Sequence, residues 1–422
     1  IRAIAGAKED ADRLFGAAIR AKLLLIPVAI LSSLGYGILT GQSALIMATI
    51  AVASMAMAAD AIHLILYGSL RGRQNLKPEA IGMFLGQVVT ASIAITAAVL
   101  GWGPIGLAVA LCAGSFWNVG WSWHNAKKLG VVILKPQAMH FSALAKQALP
   151  FAIAGISVKV YSYVDSLMLQ AYQGATAVGY YAAAYKMTYA MQFLPLTFSA
   201  ALYPALASAF SEHDEKKLKS EFNGALKLMA AIAFPIAAGL SALAPRFMPL
   251  LYGPKYMASI PAMEVLPWVL IPIFLDFPVG ALMNGSNRAH LKTMVQVSTM
   301  VINVILNAIL VPMYGPVGAA WAGVFSFWAL FMMGTTFTYK TAGGAWEMAW
   351  ILLRSMLGAA IAYVAWKYVG GIMPFAMSAV FGGAIAIASM FVLKLITVQD
   401  VMPVWHAVKE KVSRRQDDIH EE

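Results

Sequence analysis

The chain has 422 residues, of which 60% are hydrophobic and 12% charged, and it carries a net charge of +11. A water-soluble globular domain holds roughly twice that charged share, so a soluble enzyme is excluded. The positive charge sits in short loops between apolar stretches, which reads as membrane orientation and sets nucleic-acid binding aside.

The first residues, from Ile1 through RAIAGAKEDADRLFG, are polar and have no signal-peptide pattern. Twelve apolar stretches follow, near 18–38, 44–66, 79–100, 104–123, 147–171, 176–203, 223–244, 262–284, 291–312, 316–338, 346–368 and 374–396. A membrane-crossing helix needs about 20 predominantly apolar residues. Gly- and Pro-bearing turns separate the stretches: GQ at 41–42, GWGP at 101–104, QGAT at 173–176, YGP at 314–316 and GGI at 370–372. The pattern predicts an all-α polytopic membrane protein. Pro267, Pro272 and Pro278 predict a discontinuous eighth span.

The charges alternate from loop to loop. Basic residues gather before span one (Arg13, Arg20, Lys22) and between spans two and three (Arg71, Arg73, Lys77). They recur after span four (Lys127, Lys128, Lys135, Lys146), span six (Lys216, Lys217, Lys219), span eight (Arg288, Lys292), span ten (Lys340) and at the end. Arg246 and Lys255 are the exceptions. Twelve spans place every basic loop on one side, so both termini are predicted to be cytoplasmic. The run SEHDEKKLKSEF reads as an amphipathic interface helix and the tail KEKVSRRQDDIHEE as a solvated end. No loop is large enough for a catalytic domain.

A repeat is legible. GRQNLK at 72–77 precedes an apolar span and GPIGLAVA at 103–110; GSNRAHLK at 285–292 precedes a span and GPVGAAWA at 315–322. The order predicts two pseudo-symmetric bundles related as parallel repeats, plus two C-terminal spans. The expected domains are an N-terminal bundle 1–126, a cytoplasmic linker 127–146, a six-span bundle 147–340, an additional pair 341–398 and a cytoplasmic tail 399–422.

An ionisable residue inside a span is expensive and is a functional candidate. Asp60 and His63 stand at i,i+3 in span two, Lys159 and Asp165 in span five, Lys186 in span six, and Glu264 and Asp276 in span eight. Two readings stay open for Asp165 and Lys186: a buried pair holding spans five and six together, or members of a polar cavity. Lys159, Lys186 and His63 are the cationic candidates for such a cavity; Asp60, Asp165 and Asp276 are the acidic ones. Tyr185 and Tyr189 can stack on sugar rings or pack between helices. Asn303 and Asn307 suit interhelical hydrogen bonds, and Glu347 and Arg354 sit near enough to an interface to snorkel. Cys112 cannot form a disulfide within the chain, and His63, His124, His140, His213, His290, His406 and His420 never recur at i,i+4. There is no HExxH, Walker or dinucleotide motif, so no metal or cofactor is expected.

The stretch LAKQALPFAIAGISVKVYSYVDSLMLQAYQGATAVGYYAAAYKM at 144–187 resembles the polysaccharide biosynthesis proteins, the lipid-linked oligosaccharide flippases of the multidrug/oligosaccharidyl-lipid/polysaccharide exporter superfamily. Pro150, Asp165, Gly179, Tyr181, Ala184 and Lys186 carry the resemblance, and FLPLTFSAALYPALASAF and ILVPMYGPVGAAWAG continue it. It implies a fourteen-span protein lacking its first two spans here. It also implies alternating access, and a cargo of the undecaprenyl-pyrophosphate-linked glycan type moved from the cytoplasmic to the outer leaflet of a bacterial inner membrane. No covalent chemistry is implied. Membrane lipids and the polysaccharide polymerase machinery are the further partners it suggests. Two other functions stay open: a proton- or sodium-coupled drug or cation antiporter of the same superfamily, and a non-transport scaffold of glycan assembly.

Overall fold

A computed structural model describes residues 8–73, 75–129, 141–212, 214–285, 289–338 and 344–395. Every regular element among them is helical: α1 (Lys8–Leu39), α2 (Ala44–Gly72), α3 (Lys77–Val99), α4 (Gly103–Lys128), α5 (Phe141–Ala190), α6 (Phe193–Ser211), α7 (Glu215–Tyr252), α8 (Ile260–Val265), α9 (Leu270–Gly285), α10 (Ala289–Thr338), α11 (Ala345–Ile372) and α12 (Phe375–Val392). Short 3-10 turns at Pro254–Ser259 and Leu266–Val269 flank α8. Ten helical stretches among the described residues are long and apolar enough to cross a membrane. Helices suit that setting because each satisfies its own backbone polar groups.

Two of the helices are 50 residues long. A straight helix of that length would run about 75 Å, more than twice the hydrocarbon thickness. Both fold back instead. Gly174 (φ 79°, ψ −179°) breaks α5, and Gly315 (φ 55°, ψ −131°) breaks α10. Positive φ is what a residue without Cβ adopts at little cost. Across Gly174, the Tyr181 hydroxyl donates to Asp165 Oδ2 (2.5 Å). Across Gly315, Asn303 Nδ2 donates to Ser326 Oγ (3.0 Å). Both pairings require antiparallel arms, so the QGAT and YGP turns are the tips of two helical hairpins. A side chain at Gly315 would meet Gln173 Oε1 at 2.3 Å, so the two tips touch.

The chain divides into two compact units, 1–145 and 146–422. In unit 1, α4 packs on α2 and α3, and α1 on α2. Its core is small: Phe15, Ile19, Leu66, Tyr67, Leu70 and Ala126. Phe15 lies in the polar opening segment, which from Lys8 onward is the start of α1. A Cβ on Gly114 would fall 1.9 Å from Thr90 Oγ1 and 2.8 Å from the Gly86 carbonyl oxygen, so α3 and α4 touch backbone to side chain.

Unit 2 is built around α7 and the segment Pro254–Gly285, wrapped by α6, α10, α11 and α12. The expected discontinuity of span eight is present, split among two 3-10 turns, α8 and α9. Prolines leave carbonyls without their usual N–H partners. The Ser241 hydroxyl donates to the Glu264 carbonyl (2.5 Å) and supplies one. The last two helices dock on α7 through Trp366, whose indole fills the space over Gly239 of α7 and Gly382 of α12. Arg246 Nη1 donates to the Met373 carbonyl (2.8 Å), which accounts for a cation that broke the loop-charge pattern.

Three sequence expectations change in detail. The run from Glu215 to Phe222 forms the first turns of α7, capped by the Asp214 carboxylate accepting from Lys217 N (2.9 Å), not a separate interface helix. Helix α11 continues through GGI, and the turn comes at Met373–Pro374. Helix α4 reaches Lys128, two residues past the expected end of the first bundle. Most of the expected linker and the tail 399–422 lie outside the described residues.

Candidate functional site

Each unit holds a polar pocket within its apolar helices. In unit 1 a cavity of about 250 Å³ opens between α2, α3 and α4. Asp60 and His63 line it from α2, Gln87 and Thr90 from α3, and Ser115 and Asn118 from α4. His63 Nε2 lies 3.0 Å from Asp60 Oδ1. The ring stands edge-on to Tyr67, with centroids 5.5 Å apart. Tyr67 donates to Asn118 Oδ1 (2.8 Å), and Asn118 Nδ2 donates to the Gly114 carbonyl (3.0 Å). These bonds hold the Tyr67 ring that His63 packs against, and the buried Nδ1 of His63 has no hydrogen-bond partner among the described residues. A buried polar atom left unpaired is costly, and a polar group entering the pocket would satisfy it.

In unit 2 a cavity of about 220 Å³ is lined by Tyr161, Ser162, Tyr185, Tyr189, Gln192, Asp276 and apolar neighbours. Tyr185 and Tyr189 stack on one another, centroids 3.9 Å apart and 15° from parallel. Tyr161 meets Phe327 edge-on at 5.5 Å. Asp276 belongs to α9, whose Gly280 one turn on is covered by Lys292: a Cβ there would fall 2.3 Å from Lys292 Nζ and 3.9 Å from Asp276 Oδ2. An aromatic face beside a carboxylate, an amide and a hydroxyl can hold a sugar by stacking and hydrogen bonds.

The structure sorts the expected residues. Asp60 and His63 come together in the first pocket; Asp276, Tyr185 and Tyr189 come together in the second. Asp165 joins neither. Its buried carboxylate accepts from Tyr181 and from Ser166 N (2.6 Å), so it clasps the α5 hairpin. Of the two readings left open for Asp165 and Lys186, the buried pair is not formed: Lys186 is exposed one residue after the tyrosine that lines the pocket. Lys159 is also exposed, 5.6 Å above the Tyr163 ring. Asn303 bonds Ser326 across the α10 hairpin, as expected, whereas Asn307 Nδ2 donates to Asn303 O (2.9 Å) one turn back on the same arm. Glu264 lends its carbonyl to Ser241 rather than lining either pocket.

The sequence reading missed Gln87, Thr90, Ser115 and Asn118 in the first pocket, and Ser162 and Gln192 in the second. The signal was available, since each is an uncharged polar residue in an apolar stretch. Lys292, read as a loop cation, reaches into α9 beside Asp276.

Comparison with known proteins bears on what these pockets serve. The sequence model of the family described as "Polysaccharide biosynthesis protein" matches residues 15–261, more than half of the chain. The probable low-salt glycan biosynthesis flippase Agl15 of Haloferax volcanii is 22% identical over 221 residues, 52% of this chain and 46% of that protein. The lipopolysaccharide biosynthesis protein WzxC of Escherichia coli is 28% identical over 131 residues, 31% of this chain and 26% of that one. The chain thus spans less than half the length of the curated relatives it matches. Among solved structures, the inward closed conformation of the lipid II flippase MurJ superposes with a TM-score of 0.73 at 16% identity, covering 94% of this chain and 86% of that one. At that identity the likeness shows a shared fold.

Proposed function

This chain belongs to the polysaccharide biosynthesis protein family, and from that membership we propose that it flips a lipid-linked oligosaccharide from the cytoplasmic to the outer leaflet of a cell membrane. The observation that carries the proposal is the match over 15–261 to a family whose relatives bear flippase and glycan-biosynthesis names. Moving such a cargo makes and breaks no covalent bond, so no catalytic residue is required.

The ten apolar stretches, two of them folded back at Gly174 and Gly315, amount to twelve crossings. Both GPxG motifs set a positive-φ glycine ahead of a helix, Gly103 and Gly315, and both follow an antiparallel neighbour. Twelve crossings arranged as two parallel repeats plus the α11–α12 pair, moving by alternating access with both termini cytoplasmic, is the architecture we adopt. The undecaprenyl-pyrophosphate type of carrier and the bacterial inner membrane are part of this reading.

Roles follow from chemistry. A lysine exposed on an apolar spanning helix is tolerated where it faces water or protein rather than lipid tails. Lys159 and Lys186 are exposed on such a helix and are assigned to the pyrophosphate. The stacked Tyr185–Tyr189 pair with Gln192 is assigned to a sugar, and the His63–Asp60 pair of unit 1 to a second polar contact. Asp276 beside Lys292 favours a second reading, cation antiport driven by protons or sodium.

Reconstituted full-length protein, given a labelled lipid-linked oligosaccharide in the inner leaflet of liposomes, decides between them. Outward movement that is lost in well-folded Lys159→Ala and Lys186→Ala supports the assignment. Movement indifferent to both changes removes the two lysines from it. Ion-driven export of small cations with no lipid movement installs the antiporter.

A further inference from the structure

A third cavity, of about 160 Å³, lies at the end of unit 2 where α7 and α11 begin and α12 finishes. Three cations line it: Lys227 of α7, Arg354 of α11 and Lys394 in the turn after α12. Among the described residues no carboxylate lies within ion-pairing distance of any of them, although Glu347 and Lys227 attract at longer range. The one acid in the wall, Glu347, is already engaged: Lys219 Nζ lies 2.8 Å from Oε1, and Asn223 Nδ2 donates to Oε2 (2.6 Å). Neither transport reading above uses this cavity.

Its depth is marked by tryptophan. Trp346 and Trp350 stack in the first turns of α11, centroids 6.4 Å apart and 10° from parallel, and both are exposed. Exposed tryptophans at the end of a spanning helix sit at headgroup level. Arg354 lies one turn further in, and its guanidinium turns back over the Trp350 ring at 4.9 Å. Helical side chains point toward the N-terminus, so the charge rises to the same level as the indoles.

Lys394 adds an independent observation. It is the one non-glycine residue with positive φ (53°) among the described residues. It stands where a helix ends in the left-handed conformation: its N–H bonds Phe391 O (3.0 Å), and the next N–H, of Leu395, bonds Met390 O (2.9 Å). Glycine is the residue that fits that place without strain. Here the position holds a lysine whose side chain lines the cavity.

We propose that Lys227, Arg354 and Lys394 form a binding site for the phosphate of an anionic phospholipid headgroup at the membrane interface. The cavity suits a phosphodiester, with a forked guanidinium and two ammonium groups around it and Trp350 against the glycerol. The apolar surfaces of α11 and α12 continue from the site and can lie along acyl chains.

The test is native mass spectrometry of the full-length protein in detergent, titrated separately with phosphatidylglycerol, phosphatidylcholine and inorganic phosphate. Phosphatidylglycerol is expected to be retained over phosphatidylcholine. Each cation removed should weaken retention about fivefold, the equivalent of ~1 kcal/mol, and loss of all three on the order of a hundredfold. Lys394→Gly separates binding from folding, because glycine eases the backbone: thermal stability should hold or rise while retention falls. Arg354→Gln should weaken retention, and Lys255→Gln, exposed and outside this cavity, should leave it unchanged. Equal retention of both lipids, or undiminished phosphatidylglycerol on the variant lacking all three cations, overturns the site. Displacement of the lipid by millimolar inorganic phosphate overturns the lipid as its source.

Discussion

The two units use the same kind of apolar helix and cover it to different extents. In unit 1 the spanning windows are 6% to 33% buried; in unit 2 the windows in Glu215–Tyr252 and Pro254–Asn284 are 61% and 78% buried. Unit 2 has an axis that other helices wrap, while unit 1 is a thin cluster whose helices keep most of their faces outward. In lipid, apolar surface gives little drive for helices to associate, so close packing and hydrogen bonds must hold a thin cluster together. Unit 1 shows both: Thr90 seated on Gly114, Tyr67 bonded to Asn118, and Trp121 Nε1 donating to the Pro78 carbonyl (2.8 Å). Unit 2 relies more on interdigitated bulk, with large side chains such as Phe274, Phe331, Met248 and Met263 almost wholly enclosed.

The contrast sets an order of effects. Trp366→Ala should be the most damaging, about 3–5 kcal/mol, because the ring fills the gap between Gly239 and Gly382. Thermal unfolding in detergent reads it, and a loss under about 1 kcal/mol would mean that packing bulk does not hold the α11–α12 pair. Gly114→Val should cost about 1–3 kcal/mol or more in unit 1 by forcing α3 from α4. A disulfide or crosslink reporter between those helices should lose its signal. Tyr181→Phe leaves Asp165 with one partner fewer inside the α5 hairpin and should cost about 1–3 kcal/mol. Tyr67→Phe, the counterpart in unit 1, should cost a similar amount. If it proves silent, hydrogen bonding is not what holds the thinner unit.

The smallest effect belongs to the exposed loop before α7. Glu212 accepts from Ser208 Oγ (2.5 Å) and pairs with Lys217 (3.0 Å), which hold its carboxyl below the usual range. A depressed folded value means the contribution is present at neutral pH and fades as pH falls through that value. Glu212→Gln should remove this slight acid sensitivity and leave neutral stability nearly unchanged.

Much of this architecture is legible in the sequence because it follows from local rules. Gly174 and Gly315 announce hairpin tips, and Pro267, Pro272 and Pro278 announce a broken span. Helix faces are harder to read, since a stretch apolar all round gives no periodicity. By charge alone Asp165 looked suited to Lys186, and its actual partner, the Tyr181 hydroxyl, went unread. Arg246 defied the charge pattern for a reason 127 residues away, the Met373 carbonyl. Of the candidate pockets, the charged members were found and their amide and hydroxyl partners were not.

The seating of Gln173 on Gly315 has a kinematic consequence. Two hairpins that touch at their tips have little room to slide past one another there. A rearrangement of unit 2 is then expected to displace residues 173 and 315 less than the open ends of the arms.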